Sequence, residues 1–159
     1  MDPVYQRFVA TLLKECPDLN MILDRIDVSA LGKKDPTVIL SSLVHHYIAV
    51  KGHVQSGKTK FILCVSFLML WFDISPVLVL RNLHSDASQL LQRWEEMKGT
   101  FQEFIPKIKI IKSNTKSETK RTKSALYICL GNGIAMKKFN KVVPEHYVCI
   151  LDEVDSMDM

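Results

Sequence analysis

The sequence lacks paired cysteines. Its four cysteines, Cys16, Cys64, Cys129 and Cys149, are far apart and form no C-x-x-C pair. Three of them lie in apolar runs such as YVCILD, so we expect buried free thiols in a reducing intracellular compartment, the cytoplasm or the nucleus. The five histidines have no metal-ligand spacing with the cysteines. No metal site of that kind is predicted.

Signals for secretion and for membrane insertion are also missing. The start, MDPVYQRF, has no basic segment that leads into an apolar one, so no signal peptide is predicted. The apolar run FILCVSFLMLWF, residues 61–72, is bounded by Lys60 and Asp73. Because a bilayer needs about 20 apolar residues, we expect a buried helix and no membrane partner. With 159 residues, 47% hydrophobic and 24% charged, the chain has the composition of one globular domain.

Acidic residues are nearly missing from residues 107–123, KIKIIKSNTKSETKRTK, which hold seven basic residues and one acidic residue. This local basicity is typical of a patch that meets a polyanion, and it is equally typical of a solvated loop. No aromatic residue interleaves with the lysines, so base stacking is not predicted there. Lys116, Lys120 and Arg121 are the candidate contacts to DNA or RNA.

Strand and helix patterns alternate after a helical start. Asp-Pro pairs at 2–3 and 35–36 predict two helix beginnings, and SDASQLLQRWEEMKG predicts a helix that stops at Gly99. The segments YIAVKG, PVLVLR, KIKIIK, ALYICL and YVCILD read as strands, several of them continuously apolar. Such alternation predicts a parallel sheet covered on both faces. We expect one α/β domain over residues 46–159, preceded by a helical extension over residues 1–45.

A phosphate-binding loop is the most specific pattern. GHVQSGKT fits G-x-x-x-x-G-K-[ST] between a predicted strand and a predicted helix. Glycines let backbone N–H groups turn around a phosphate, and the helix amino terminus adds its dipole. Lys58 would reach the β- and γ-phosphates of ATP, and the Thr59 hydroxyl would bind Mg²⁺. The candidate nucleotide-binding residues are Gly52, Gln55, Ser56, Gly57, Lys58 and Thr59.

The second pattern is VCILDEVDSM, an apolar strand followed by acidic residues. Ligands bind open α/β sheets at the carboxyl ends of their strands. A nucleotidase needs one carboxylate there for Mg²⁺ and a second to orient or deprotonate the attacking water. Asp152 suits the first role and Glu153 the second. We therefore predict Lys58 and Glu153 as catalytic residues, and Thr59 and Asp152 as metal ligands.

GHVQSGKT and LDEVD together resemble motifs I and II of the superfamily 2 helicases of the DExD group, whose ATPase core is a pair of RecA-like domains. The resemblance implies a three-layer P-loop NTPase fold, with Mg²⁺ and ATP as cofactors and DNA or RNA as partner. It assigns phosphate and metal to Lys58 and Thr59, Mg²⁺ to Asp152 and water to Glu153. Asp155 would link motif II to later parts of the motor.

Other parts of the family pattern are weaker or missing. Arg81 and Asn82 follow a predicted strand in a place similar to motif Ia, which contacts nucleic-acid phosphates. Residues 20–54 contain no glutamine, so the adenine-reading glutamine of DEAD-box helicases has no counterpart there. The chain ends directly after motif II, before the strand of motif III and before the second RecA-like domain with its arginine finger. We therefore expect Mg-ATP binding with poor hydrolysis by this chain alone.

Two other functions stay open. One is a P-loop NTPase of another branch, which remodels proteins, packages nucleic acid or works with a nuclease. The sequence VQSGKT also resembles the loop of nuclease-associated ATPases. The other is a non-catalytic remnant that only holds nucleotide or nucleic acid.

Overall fold

The helices and strands are those of a computed structural model, which describes residues 3–26, 36–44, 58–80, 84–105, 109–112, 125–130 and 146–151. The helices are α1 (Pro3–Glu15), α2 (Asn20–Leu23), α3 (Pro36–Val44), α4 (Lys58–Trp71) and α5 (His84–Phe101), with a 3-10 turn at Pro17–Leu19. The strands are β1 (Ser75–Leu80), β2 (Lys109–Lys112), β3 (Ala125–Leu130) and β4 (Tyr147–Leu151). The strand expected from YIAVKG lies outside the described residues.

The four described strands form one parallel sheet in the order β2-β3-β1-β4. The parallel sheet is therefore confirmed. Leu78, Leu126 and Ile128 point to one face and join the core formed by the helices. Val77 and Tyr127 point to the other face and are also buried. Both faces of the two central strands are covered, as their continuous apolar sequences predict.

Proline begins the first and third helices. α1 starts at Pro3 and α3 at Pro36, which confirms both predicted helix beginnings. Proline fits a first helical turn because its missing N–H would have no partner there. Along α1, Tyr5, Phe8 and Leu12 are buried at helical spacing. This stripe faces α4, so the amino-terminal helices share one core with the rest of the chain.

The helix α4 is the centre of that core. Each of its residues from Phe61 to Trp71 is buried, as is Phe72 directly after it. The one polar side chain among them, Ser66, donates a hydrogen bond to the carbonyl of Ile62 at 2.8 Å. A helix that is apolar all round must be enclosed on every side. The prediction of a buried helix over this run is confirmed.

Aromatic rings join the three longest helices. Phe67 on α4 stacks on Trp94 of α5, with ring centroids 4.4 Å apart, and on Phe101 at 4.5 Å. On its other side, α4 presents Trp71 to Phe8 of α1, stacked at 4.9 Å. Such offset or stacked pairs add about 0.5–1.5 kcal/mol each beyond the area that they bury. Both tryptophans of the chain therefore lie in the core.

No helix among the described ranges is long and apolar enough to cross a membrane.

Two expectations about single residues were wrong. α5 continues past Gly99 to Phe101, because Phe101 is fully buried against Phe67 and this contact holds the last turn in place. Cys149, expected to be buried, is exposed. It lies on β4 at one end of the described sheet, on the same face as the exposed Tyr147.

A tight reversal joins α4 to β1. Asp73 has φ 59°, a left-handed conformation that residues with a side chain rarely adopt. The Ile74 N–H donates to the Met69 carbonyl at 3.0 Å and the Asp73 N–H to the Leu70 carbonyl at 3.1 Å. These two hydrogen bonds form a Schellman motif, which ends the helix and turns the chain back into the sheet.

We expect Gly99→Ala to stabilise the protein by about 0.5–1 kcal/mol, because glycine inside a helix loses more conformational freedom on folding than alanine. An added Cβ would meet no atom within 4 Å. Urea unfolding would measure the change. Gln92→Ala, at another exposed position of α5, is the control and should change stability little. A loss of stability in Gly99→Ala would contradict the assignment of this position to the helix.

At position 73 we expect the glycine variant to be about 1 kcal/mol more stable than the alanine variant, since only alanine carries the steric cost of positive φ. Both substitutions remove the carboxylate, so the difference between their free energies of unfolding reports the cost of positive φ alone. Thermal or urea unfolding of Asp73→Gly and Asp73→Ala gives that difference. Equal stabilities would show that residue 73 does not hold a left-handed conformation in solution.

Candidate nucleotide site

The backbone brings the amino end of α4 and the carboxyl end of β4 to one edge of the sheet. α4 has 14 residues, about 21 Å in length, and β1 has 6 residues, about 20 Å. The two elements contact each other and are joined by residues 72–74 alone, so they run in opposite directions. The amino terminus of α4 therefore lies near the carboxyl end of β1. Because β4 is parallel to β1, with Val79 opposite Leu151, its carboxyl end lies at the same edge.

The residues of the loop motif enter this arrangement at its helical end. Lys58 is the first residue of α4, which confirms the predicted helix beginning, and Thr59 is the second, half-buried. Gly52, Gln55, Ser56 and Gly57 lie outside the described residues. A helix amino terminus presents N–H groups without intrahelical partners, together with a partial positive charge. This end of α4 can therefore hold an anion.

The acidic motif follows the strand end. β4 stops at Leu151, so Asp152 continues the chain from the carboxyl edge of the sheet. Asp152, Glu153 and Asp155 themselves lie outside the described residues. Along the described segments there is no cluster of three or more metal-ligating side chains. The donor set proposed for Mg²⁺, a threonine hydroxyl and a carboxylate, has the oxygen chemistry that this ion prefers.

The candidate nucleic-acid residues also lie outside the described part of the chain. Arg81 and Asn82 come directly after Leu80, the last residue of β1, and therefore continue from the same edge of the sheet. Lys116, Lys120 and Arg121 fall between β2 and β3. Their contact with DNA or RNA stays a prediction.

Sequence reasoning missed the contacts that flank the first turn of α4. Lys60, the third residue of α4, pairs with Glu15, the last residue of α1, with Nζ and Oε2 3.2 Å apart. At the opposite end of the interface, Tyr5 packs on Phe72 with ring centroids 5.8 Å apart. The two helices thus lie antiparallel, and the carboxyl end of α1 meets the amino end of α4. One signal was available, because a lysine in a first helical turn is unfavourable unless it is paired.

Two buried groups of this interface hold their protons strongly. Burial raises the pKa of the Cys64 thiol to about 12, and the neighbouring Cys16 and Glu15 act in the same direction. Burial also raises the pKa of the Tyr5 hydroxyl to about 12. Neither group is a nucleophile near neutral pH, because the reactive thiolate or phenolate would have to form without solvation.

Comparison of the chain with protein families, with curated proteins and with solved structures gives no match.

We expect stability to fall as the pH rises from about 9 towards 12. Cys64 and Tyr5 ionise near 9.0 and 10.0 when unfolded and near 12 when folded, so between these values the unfolded state has lost protons that the folded state keeps. Each group can contribute a slope of up to about 1.4 kcal/mol per pH unit inside its window. Urea unfolding between about pH 8 and 11 would measure the slope.

The variants Tyr5→Phe and Cys64→Ala separate the two groups. Tyr5→Phe should flatten the slope above about pH 10 and Cys64→Ala the slope above about pH 9. Slopes that match the wild type in both variants would show that other groups cause the alkaline loss.

Proposed function

We propose that the chain is an ATP-binding domain of the P-loop class, and within that class the amino-terminal RecA-like domain of a DExD-type helicase or nucleic-acid translocase. One observation carries the proposal. The helix that follows the G-x-x-x-x-G-K-T loop begins, and the strand that precedes the D-E-x-D motif ends, at the same edge of a parallel sheet. That edge is where open α/β sheets bind ligands.

In this proposal each motif residue has a task. The loop from Gly52 to Gly57 would surround the phosphates with backbone N–H groups, and the Lys58 ammonium would neutralise their charge. The Thr59 hydroxyl and the Asp152 carboxylate would hold Mg²⁺. When bound, Mg²⁺ would neutralise negative charge on the phosphate oxygens. The Glu153 carboxylate would accept a hydrogen bond from the attacking water.

The rigid surroundings of α4 support this assignment. From Phe61 on, the helix is enclosed by the sheet, α5 and α1, so the body of the helix that carries this amino terminus is held in the core. A binding site at the end of a helix whose body is buried needs little reorganisation when an anion arrives. Nucleic acid would meet the domain through Arg81, Asn82 and the basic residues Lys116, Lys120 and Arg121, and hydrolysis would require a second RecA-like domain.

We expect Mg-ATP to raise the unfolding temperature, because a ligand that binds only the folded state stabilises it. At about 100 times Kd the gain is about 2.7 kcal/mol. Lys58→Ala should remove most of this gain. Asp152→Asn should make the stabilisation by ATP less dependent on Mg²⁺. Lys14→Ala removes the same charge at an exposed position of α1 and serves as the control.

The same titration has an outcome that overturns the proposal. Equal shifts in the wild type and Lys58→Ala would mean that the loop does not hold the nucleotide. In a second assay, a labelled DNA or RNA strand is titrated at several salt concentrations. Salt-dependent binding of that strand, together with no protection by Mg-ATP, would instead support the non-catalytic remnant.

A further inference from the structure

The contact between Glu15 and Lys60 joins two helix ends that face each other. Glu15 is the last residue of α1, and Lys60 stands in the first turn of α4, 3.2 Å away. The side chains of Glu15 and Lys60 are 31% and 36% exposed, respectively, whereas both side chains of the described pair Arg7–Glu103, which joins α1 to the turn after α5, are more than 60% exposed. The attraction between Glu15 and Lys60 is therefore less screened by water and salt than that between Arg7 and Glu103.

Helix dipoles explain why this pair matters. A lysine is unfavourable at a helix amino terminus, and a glutamate is unfavourable at a carboxyl terminus. Each residue stands at the wrong end of its own helix. Each charge is favourable for the dipole of the other helix, because Lys60 reaches the carboxyl end of α1 and Glu15 reaches the amino end of α4. Each charge stabilises the neighbouring helix end only while the pair is formed.

The pair also fixes the position of the Lys60 ammonium beside α1. Lys60 lies two positions after Lys58 in the sequence, and its ammonium is held by a carboxylate of α1. Cys16, the residue directly after α1, and Cys64, in the second turn of α4, are both buried in the same core. The first turn of α4 is thus held from the side of α1.

We propose that Glu15 is a positioning residue of the nucleotide site. It pairs with Lys60, keeps the first turn of α4 formed, and so prepares the N–H groups of that turn for the phosphates of a nucleoside triphosphate. This inference rests on the proposed function. It makes the amino-terminal helix α1 part of the site, although no residue of α1 belongs to either motif.

The Glu15→Gln variant tests the proposal through Mg-ATP affinity. We expect Kd to rise about threefold to fivefold, the range of a partly exposed pair or of one charge at a helix end. Simple electrostatics predicts the opposite sign, since loss of a negative charge should attract the triphosphate more strongly. The double variant Glu15→Gln/Lys60→Gln should recover most of the affinity, because no unpaired lysine remains. Glu103→Gln is the charge-matched control and should leave Kd unchanged.

Hydrogen exchange provides a readout that needs no nucleotide. The amides of Ile62, Leu63 and Cys64 donate to carbonyls of the first turn of α4, so Glu15→Gln should speed their exchange by a similar factor. Amides later in α4 should not change. Unchanged exchange at the first turn, or tighter Mg-ATP binding, would overturn the proposal. Lack of Mg-ATP binding by the wild type would overturn the proposed function and the ligand part of this inference, while the exchange experiment would still decide whether Glu15 holds the turn.

Discussion

From Phe61 to Trp71, no side of α4 faces water, and this enclosure is the constraint on which the rest of the structure depends. The sheet covers one side, while α5 and α1 cover others through stacked rings such as Phe67–Trp94 and Phe8–Trp71. Without any one of these layers, large apolar side chains would be exposed to water. Each Å² of exposed apolar surface costs about 25 cal/mol of folding free energy. The core around α4, the helix that follows the G-x-x-x-x-G-K-T sequence, therefore needs the amino-terminal helices to cover it.

The central helix also links stability to the candidate site. Its carboxyl end is turned into β1 through Asp73, and its amino end begins at Lys58. The reversal at Asp73 makes α4 run antiparallel to β1. The amino end of α4 therefore lies near the carboxyl end of β1, about one strand length from the reversal. This arrangement brings the beginning of α4 and the end of β4 to the same edge, with Glu15 of α1 beside the first turn.

Much of the secondary structure was predictable from local patterns. Proline at a first helical position located the beginnings of α1 and α3, and continuous apolar runs located β1, β3 and β4. The failures have tertiary causes. Gly99 did not end α5 because Phe101 packs into the core, and Cys149 is exposed because β4 lies at one end of the described sheet. A contact or a place in the sheet outweighed the local signal in both cases.

The sequence by itself determined most of the described helices and strands, the buried character of α4 and the two motifs with their proposed chemistry, because helical periodicity, apolar runs and motif spacing are properties of neighbouring residues. Only the tertiary structure decided the strand order, the common edge reached by α4 and β4, and the pairing of Glu15 with Lys60. These features join residues far apart in the chain. Their free energies depend on which surfaces the folded chain brings together, and no local pattern records that choice.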